Sequence, residues 1–125
     1  MKQWNFKVFI TPRGANEIQD WLQGLPPKVC LKIRTGIKYL ETEKIWPSNL
    51  CHKIIGYEKI YELLFYYGNV QYRPLCCFGP KKKEFTLLIP AIEHGDRFEP
   101  KTAPETAVKR YKLIHEEEGH TDDFI

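Results

Sequence analysis

Across residues 60–101 the apolar positions fall into three extended runs separated by two turns. Gly68 and Asn69 lie between Tyr67 and Val70, a two-residue loop of the kind that closes a β-hairpin. With Tyr67 and Val70 opposite one another, Leu64 faces Arg73 and Leu63 faces Pro74. The side chains of Glu62, Leu64, Tyr66, Gln71, Arg73 and Leu75 then share one sheet face. The other face carries Tyr61, Leu63, Phe65, Tyr67, Tyr72 and Pro74. It is the more apolar, so it is expected to pack on helices and leave Arg73 accessible. Gly79 and Pro80 end the second run, and the basic tip Lys81, Lys82, Lys83 leads into the third. Residues 85–92, FTLLIPAI, are apolar at nearly every position and read as a strand buried on both faces. Pro90 has no N–H to donate and is expected at a bulge or beyond the neighbouring strand's end. If the third strand runs antiparallel to the second, the ionisable Glu93, His94, Asp96 and Arg97 that follow come near Arg73.

Upstream, Trp4, Phe6, Val8 and Ile10 alternate with Asn5, Lys7 and Phe9, the pattern of a half-buried strand. Thr11 and Pro12 then offer an N-cap oxygen and a first helical residue. Ile18, Trp21, Leu22 and Leu25 form one helical stripe, which Gly24 and the pair Pro26, Pro27 stop. Pro27 opens a second helix with Val29, Ile33, Ile37 and Leu40 facing inward. Its Lys28, Lys32, Arg34 and Lys38 read as a solvated basic face. Residues 51–57 are ambiguous between loop and strand. Downstream, Thr102 and Glu105 have capping-box spacing before the stripe Ala107, Val108, Tyr111, Ile114. The order predicts an α+β domain: an antiparallel meander packed against an N-terminal helical hairpin, with a C-terminal helix.

Composition adds limits. A chain of 125 residues that is 42% hydrophobic and 14% aromatic suits one folded domain. Residues 1–114 are assigned to it and 115–125 to an acidic tail. Setting aside Glu116, Glu117, Glu118, Asp122 and Asp123 raises the formal charge from +3 to +8, so the body is more basic than the whole. Cys30, Cys51, Cys76 and Cys77 include no Cys-x-x-Cys pair. Adjacent Cys76 and Cys77 point to opposite sides of a strand, which suits neither a mutual disulfide nor a shared metal. Free thiols, no secretory leader and no membrane-spanning run place the protein in a cytoplasm.

The order of strand, two helices and meander resembles the RelE/ParE toxin superfamily, and within it the HigB-like, phage-derived toxins. Carrying the resemblance are Ile60-Tyr61-Glu62-Leu63, Tyr72-Arg73, residues 87–93 with His94, and Ala103-Pro104-Glu105-Thr106-Ala107. It implies the toxin half of a type II toxin–antitoxin pair, with a helix-turn-helix antitoxin, the ribosome and mRNA as partners. RNA-cleaving members need no metal or other cofactor: a 2′-hydroxyl attacks the adjacent phosphate while cationic side chains stabilise the developing charge. Other members poison DNA gyrase without cleaving anything, and a degenerate interaction module is a third alternative.

By resemblance Arg73 is the phosphate-binding cation. His94, at the end of the last strand, is the residue for proton transfer, against the alternative of a solvated loop histidine. Glu62, diagonal to Arg73, orients the guanidinium or acts as general base. Lys81, Lys82 and Lys83, with Arg97 and Lys101, are candidate contacts to RNA phosphates; for the tip, ordinary solubility is the other reading. Leu64 departs from the family pattern, which often has Arg there, and so takes one cation from the expected phosphate face.

Overall fold

The structure is a computed structural model describing residues 2–95 and 97–125; Met1 and Asp96, the latter among the residues expected near Arg73, lie outside the described residues. It is a mixed α+β fold with three helices and two sheets. The strands are β1 (Asn5–Phe9), β2 (Cys51–Lys53), β3 (Tyr61–Leu63), β4 (Phe65–Tyr67), β5 (Val70–Tyr72), β6 (Leu75–Phe78), β7 (Glu84–Ile89), β8 (Ile92–His94), β9 (Arg97–Glu99) and β10 (Thr121–Asp123). The helices are α1 (Glu17–Gly24), α2 (Pro27–Thr42) and α3 (Ala103–Glu116). One sheet has the order β10-β1-β7-β6-β3-β2 and the other β4-β5-β8-β9. All neighbours are antiparallel except β1 and β7.

The expected meander is therefore present but divided. The hairpin closes on Gly68 and Asn69 with Tyr67 opposite Val70, and β7 runs antiparallel to β6. Each long run breaks at one level: at Leu64, at Arg73–Pro74 and at Pro90–Ala91. Two of the breaks hold prolines, which cannot donate to a ladder, and β6 and β7 shift register there between Leu75 and Cys76. Leu63 N–H still reaches the Pro74 carbonyl at 3.1 Å, but Leu64 N–H turns to Leu50 and Arg73 N–H to Ala91. Leu64 thus does not pair with Arg73.

Both faces of the larger sheet are covered. Helices α1 and α2 pack Ile18, Leu22, Val29, Ile33, Ile37 and Leu40 onto Phe6, Val8, Leu63, Cys76, Phe85 and Leu87. On the other side, α3 sets Ala103, Ala107 and Ile114 against Phe9, Ile60, Leu75, Cys77 and Leu88. Cys76 and Cys77 fall on opposite faces, each in its own apolar cluster, and all four thiols are free. On the face that carries Glu62, Leu75 lies under α3 and Glu62 is buried, so Arg73 is less accessible than expected, while Tyr66 on the same face is exposed.

Three local expectations are corrected. Thr11 and Pro12 form a turn, and α1 starts later, with the Asn16 side chain accepting from Gln19 N–H at 3.0 Å. Thr102 is the N-cap of α3 without a side-chain hydrogen bond, and Glu105, rather than reaching back to it, accepts from the Tyr57 hydroxyl at 2.5 Å. Residues 115–125 are not a loose tail. Within them β10 pairs with β1, Lys7 bonds Asp123 at 2.8 Å, and Phe124 packs against the core. Among the described residues, no helix is long and apolar enough to cross a membrane.

Candidate functional site

The level at which the strands break is where the ionisable side chains gather. Arg73, just before Pro74, sends its guanidinium between two carboxylates: Nη1 donates to Glu62 Oε1 at 2.9 Å and lies 2.6 Å from Glu93 Oε2. Nη2 donates to the Tyr66 hydroxyl at 3.1 Å. The Arg73 side chain is 15% exposed and that of Glu62 only 5%. Pairing offsets the cost of burying either charge alone. On its far side, Glu62 Oε1 meets His52 Nε2 at 2.6 Å, since β2 and β3 set His52 opposite Glu62. The other ring nitrogen of His52 faces the Ser48 carbonyl at 3.2 Å. Both ring nitrogens face acceptors, so the contacts are fully satisfied when both carry hydrogen. Glu62 Oε2, Gln71 Oε1 and Arg73 Nε are buried here without a hydrogen-bond partner among the described residues.

Of the residues singled out from sequence, Glu62 and Arg73 meet, in the orienting ion pair expected of Glu62. His94 does not join them. Successive residues of a strand point to opposite sides, and it is Glu93 that turns to Arg73. His94 is exposed and lies 3.3 Å from Glu99, with Arg97 its register partner on β9. Lys81, Lys82 and Lys83 sit at the far end of β6, which is four residues long at about 3.3 Å each. There the Lys83 ammonium lies 5.3 Å from the centre of the Trp4 ring. Lys101 is exposed ahead of α3. None of these cations is among the residues bonded to Arg73, Glu62 or Glu93 in the cluster.

His52 and Tyr66 are the members of the cluster that sequence reasoning missed. For Tyr66 the face assignment was already available, because the hairpin register puts it on one face with Glu62 and Arg73. His52 sits in a three-residue strand too short to show a period.

Cys51 lies beside this cluster. Burial, and then the nearby Glu62 carboxylate, push its thiol up to about 12, so it is not a nucleophile at neutral pH. With two carboxylates on one guanidinium, the cluster offers no free guanidinium as it stands, and its members open to solvent are His52 and Tyr66. Set against known proteins, the chain matches no family model, no curated protein and no solved structure.

Proposed function

We propose that this chain is the toxin of a type II toxin–antitoxin pair with a RelE/ParE-like fold, acting in the cytoplasm on mRNA at the ribosome. The observation that supports it most is the 2.9 Å contact between Arg73 and Glu62, because it joins the Tyr-Glu-Leu and Tyr-Arg motifs on which the resemblance rests. From β1 through the helical hairpin and the strands of the meander to α3, the element order also follows the order the resemblance implies, with β10 added after α3.

In this reading Arg73 faces the scissile phosphate once it leaves one of its carboxylates, and stabilises the charge developed as the 2′-hydroxyl attacks. His52, held on Glu62, replaces His94 as the residue that moves a proton. A helix-turn-helix antitoxin neutralises the activity. A second reading, a toxin that works by contact without cleavage, is favoured by one observation: the terminal nitrogens of Arg73 are engaged by Glu62, Glu93 and Tyr66.

Expression from a tightly controlled promoter, with RNA 5′ ends mapped across the transcriptome, tests the proposal. Growth arrest with new mRNA ends is expected. Arrest with unchanged RNA ends and DNA damage points to the gyrase-poison class, and normal growth at full expression sinks the toxin reading.

A further inference from the structure

A groove of about 700 Å³ lies between α2 and the β2–β4 side of the molecule. Small molecules are held in spaces of about 300–1,000 Å³. The wall that α2 supplies runs only from Lys28 to Gly36, which is about 12 Å at about 1.5 Å per residue. An extended hydrocarbon chain covers that length in about ten bonds. The floor is apolar: Leu64 and Phe65 are buried there and Leu50 half-buried. Leu31, 66% exposed, adds a large aliphatic side chain at the edge that nothing in its own chain covers.

Charge around the groove is one-sided. None of the described side chains that line it is a carboxylate, whereas Lys28 and Lys32 stand one turn apart on its rim. Among the described residues neither lysine pairs with a carboxylate. Lys32 donates to the Tyr66 carbonyl, which leaves Lys28 as the ammonium to be matched.

We propose that this groove binds a medium-chain fatty carboxylate of about ten carbons, its head on Lys28 and its chain along Leu31, Leu50, Leu64 and Phe65. The apolar floor takes the chain, and the short wall sets its length. One unmatched ammonium answers a head of one charge; a phosphate monoester, which carries close to two, is matched only in part. A nucleotide fits less well, because a base asks for hydrogen-bond partners along its edges and the leucine floor has none to give. His52 and Tyr66 complete the wall, and they are the solvent-open members of the Arg73 cluster, so a seated acid lies against that cluster. The inference does not rest on the toxin reading.

The test is a titration of the isotope-labelled full chain, followed by amide and imidazole NMR, with straight-chain carboxylates kept below the concentrations at which they form micelles. Decanoate should give saturable shifts at Leu31, Thr35, Leu50 and Tyr66, together with a shift of the His52 imidazole. From hexanoate to decanoate, affinity should rise by roughly two- to fourfold for each methylene, then level off once the chain outgrows the groove. Decylamine, with the same chain and the opposite charge, should bind about tenfold or more weaker. So should decanoate to Lys28→Glu and to Thr35→Trp, which fills the groove; both sites are exposed, and melting should be unchanged. Shifts that never saturate, affinity that ignores chain length or climbs without a break through tetradecanoate, or equal binding of decylamine would each overturn the proposal. So would full affinity in both variants, tighter binding of decyl phosphate, or the same shifts from uridine 5′-monophosphate at equal affinity.

Discussion

Replacing Arg73 with alanine leaves Glu62 and Glu93 facing each other across the space of one guanidinium. Their side chains are 5% and 16% exposed, so neither carboxylate regains full hydration. Removing one partner of a buried pair costs about 3–5 kcal/mol. His52 still contacts Glu62 at 2.6 Å, which sets the expectation at the lower end, about 3 kcal/mol. For a domain of this size that is a fall of roughly 12 °C in melting temperature. Glu62→Gln keeps an acceptor for Arg73, which also keeps Glu93, so its own cost should be about 1 kcal/mol. In the Arg73→Ala background the same substitution should restore stability, giving a coupling of about 1–2 kcal/mol. Urea melts followed by the fluorescence of Trp4, Trp21 and Trp46 measure all four corners of the cycle. The reasoning fails if Arg73→Ala melts within about 1 kcal/mol of the parent and Glu62→Gln changes nothing in its background, since Arg73 is then a solvated cation. The outcome also governs any activity test: a loss of toxicity in Arg73→Ala counts only at a temperature where that variant is folded.

Gly36→Ala drives a methyl group into the Phe65 ring and should cost about 1–3 kcal/mol, recovered in part by Phe65→Leu, as read from thermal melts. In native protein a thiol reagent should label Cys30 first, because Cys51, Cys76 and Cys77 are buried and burial raises their thiols, those of Cys51 and Cys77 to about 12; all four should label in denaturant, counted by mass. The hydrogen bond from Lys7, and then its charge, hold the Asp123 carboxyl below its ordinary 3.8. That contact's stabilisation is present above 3.8 and is lost as the pH falls from there through the lowered folded value. A carboxyl NMR titration should show the lowered value and its return toward 3.8 in Lys7→Met; an Asp123 that titrates identically in both proteins counts against the contact.

Periodicity revealed most of what is repeated along the chain. The stripe Val29, Ile33, Ile37, Leu40 fixed the buried face of α2, and Gly68-Asn69 fixed the hairpin register, because each follows from local geometry. The doubly buried third run was equally readable, and so was the parting of Cys76 from Cys77. What failed was information held between distant segments. Pro74 and Pro90 are visible as single residues, but only pairing places them at one level, where together they divide the sheet. The face of Glu62 was judged accessible because it is the less apolar face of the hairpin, and nothing local says that α3 returns to cover Leu75 on it. His94 and Glu93 differ by one position, and a break at Pro90–Ala91 decides which of the two reaches Arg73.

Strand β1 takes one neighbour from β7 and the other from β10, and its contact between Lys7 and Asp123 spans 116 residues of chain. In a folding chain both edges of this early segment stay open while everything between is assembled. Pairings of such high sequence separation form late and slow the folding of the whole. Until β10 arrives, the outer edge of β1 can recruit any other extended segment, and a chain stopped short of residue 121 is left with that edge bare. The acidic Asp122 and Asp123 therefore do more than close the sheet: once in place, they give its outermost strand a charge that repels a second acidic edge.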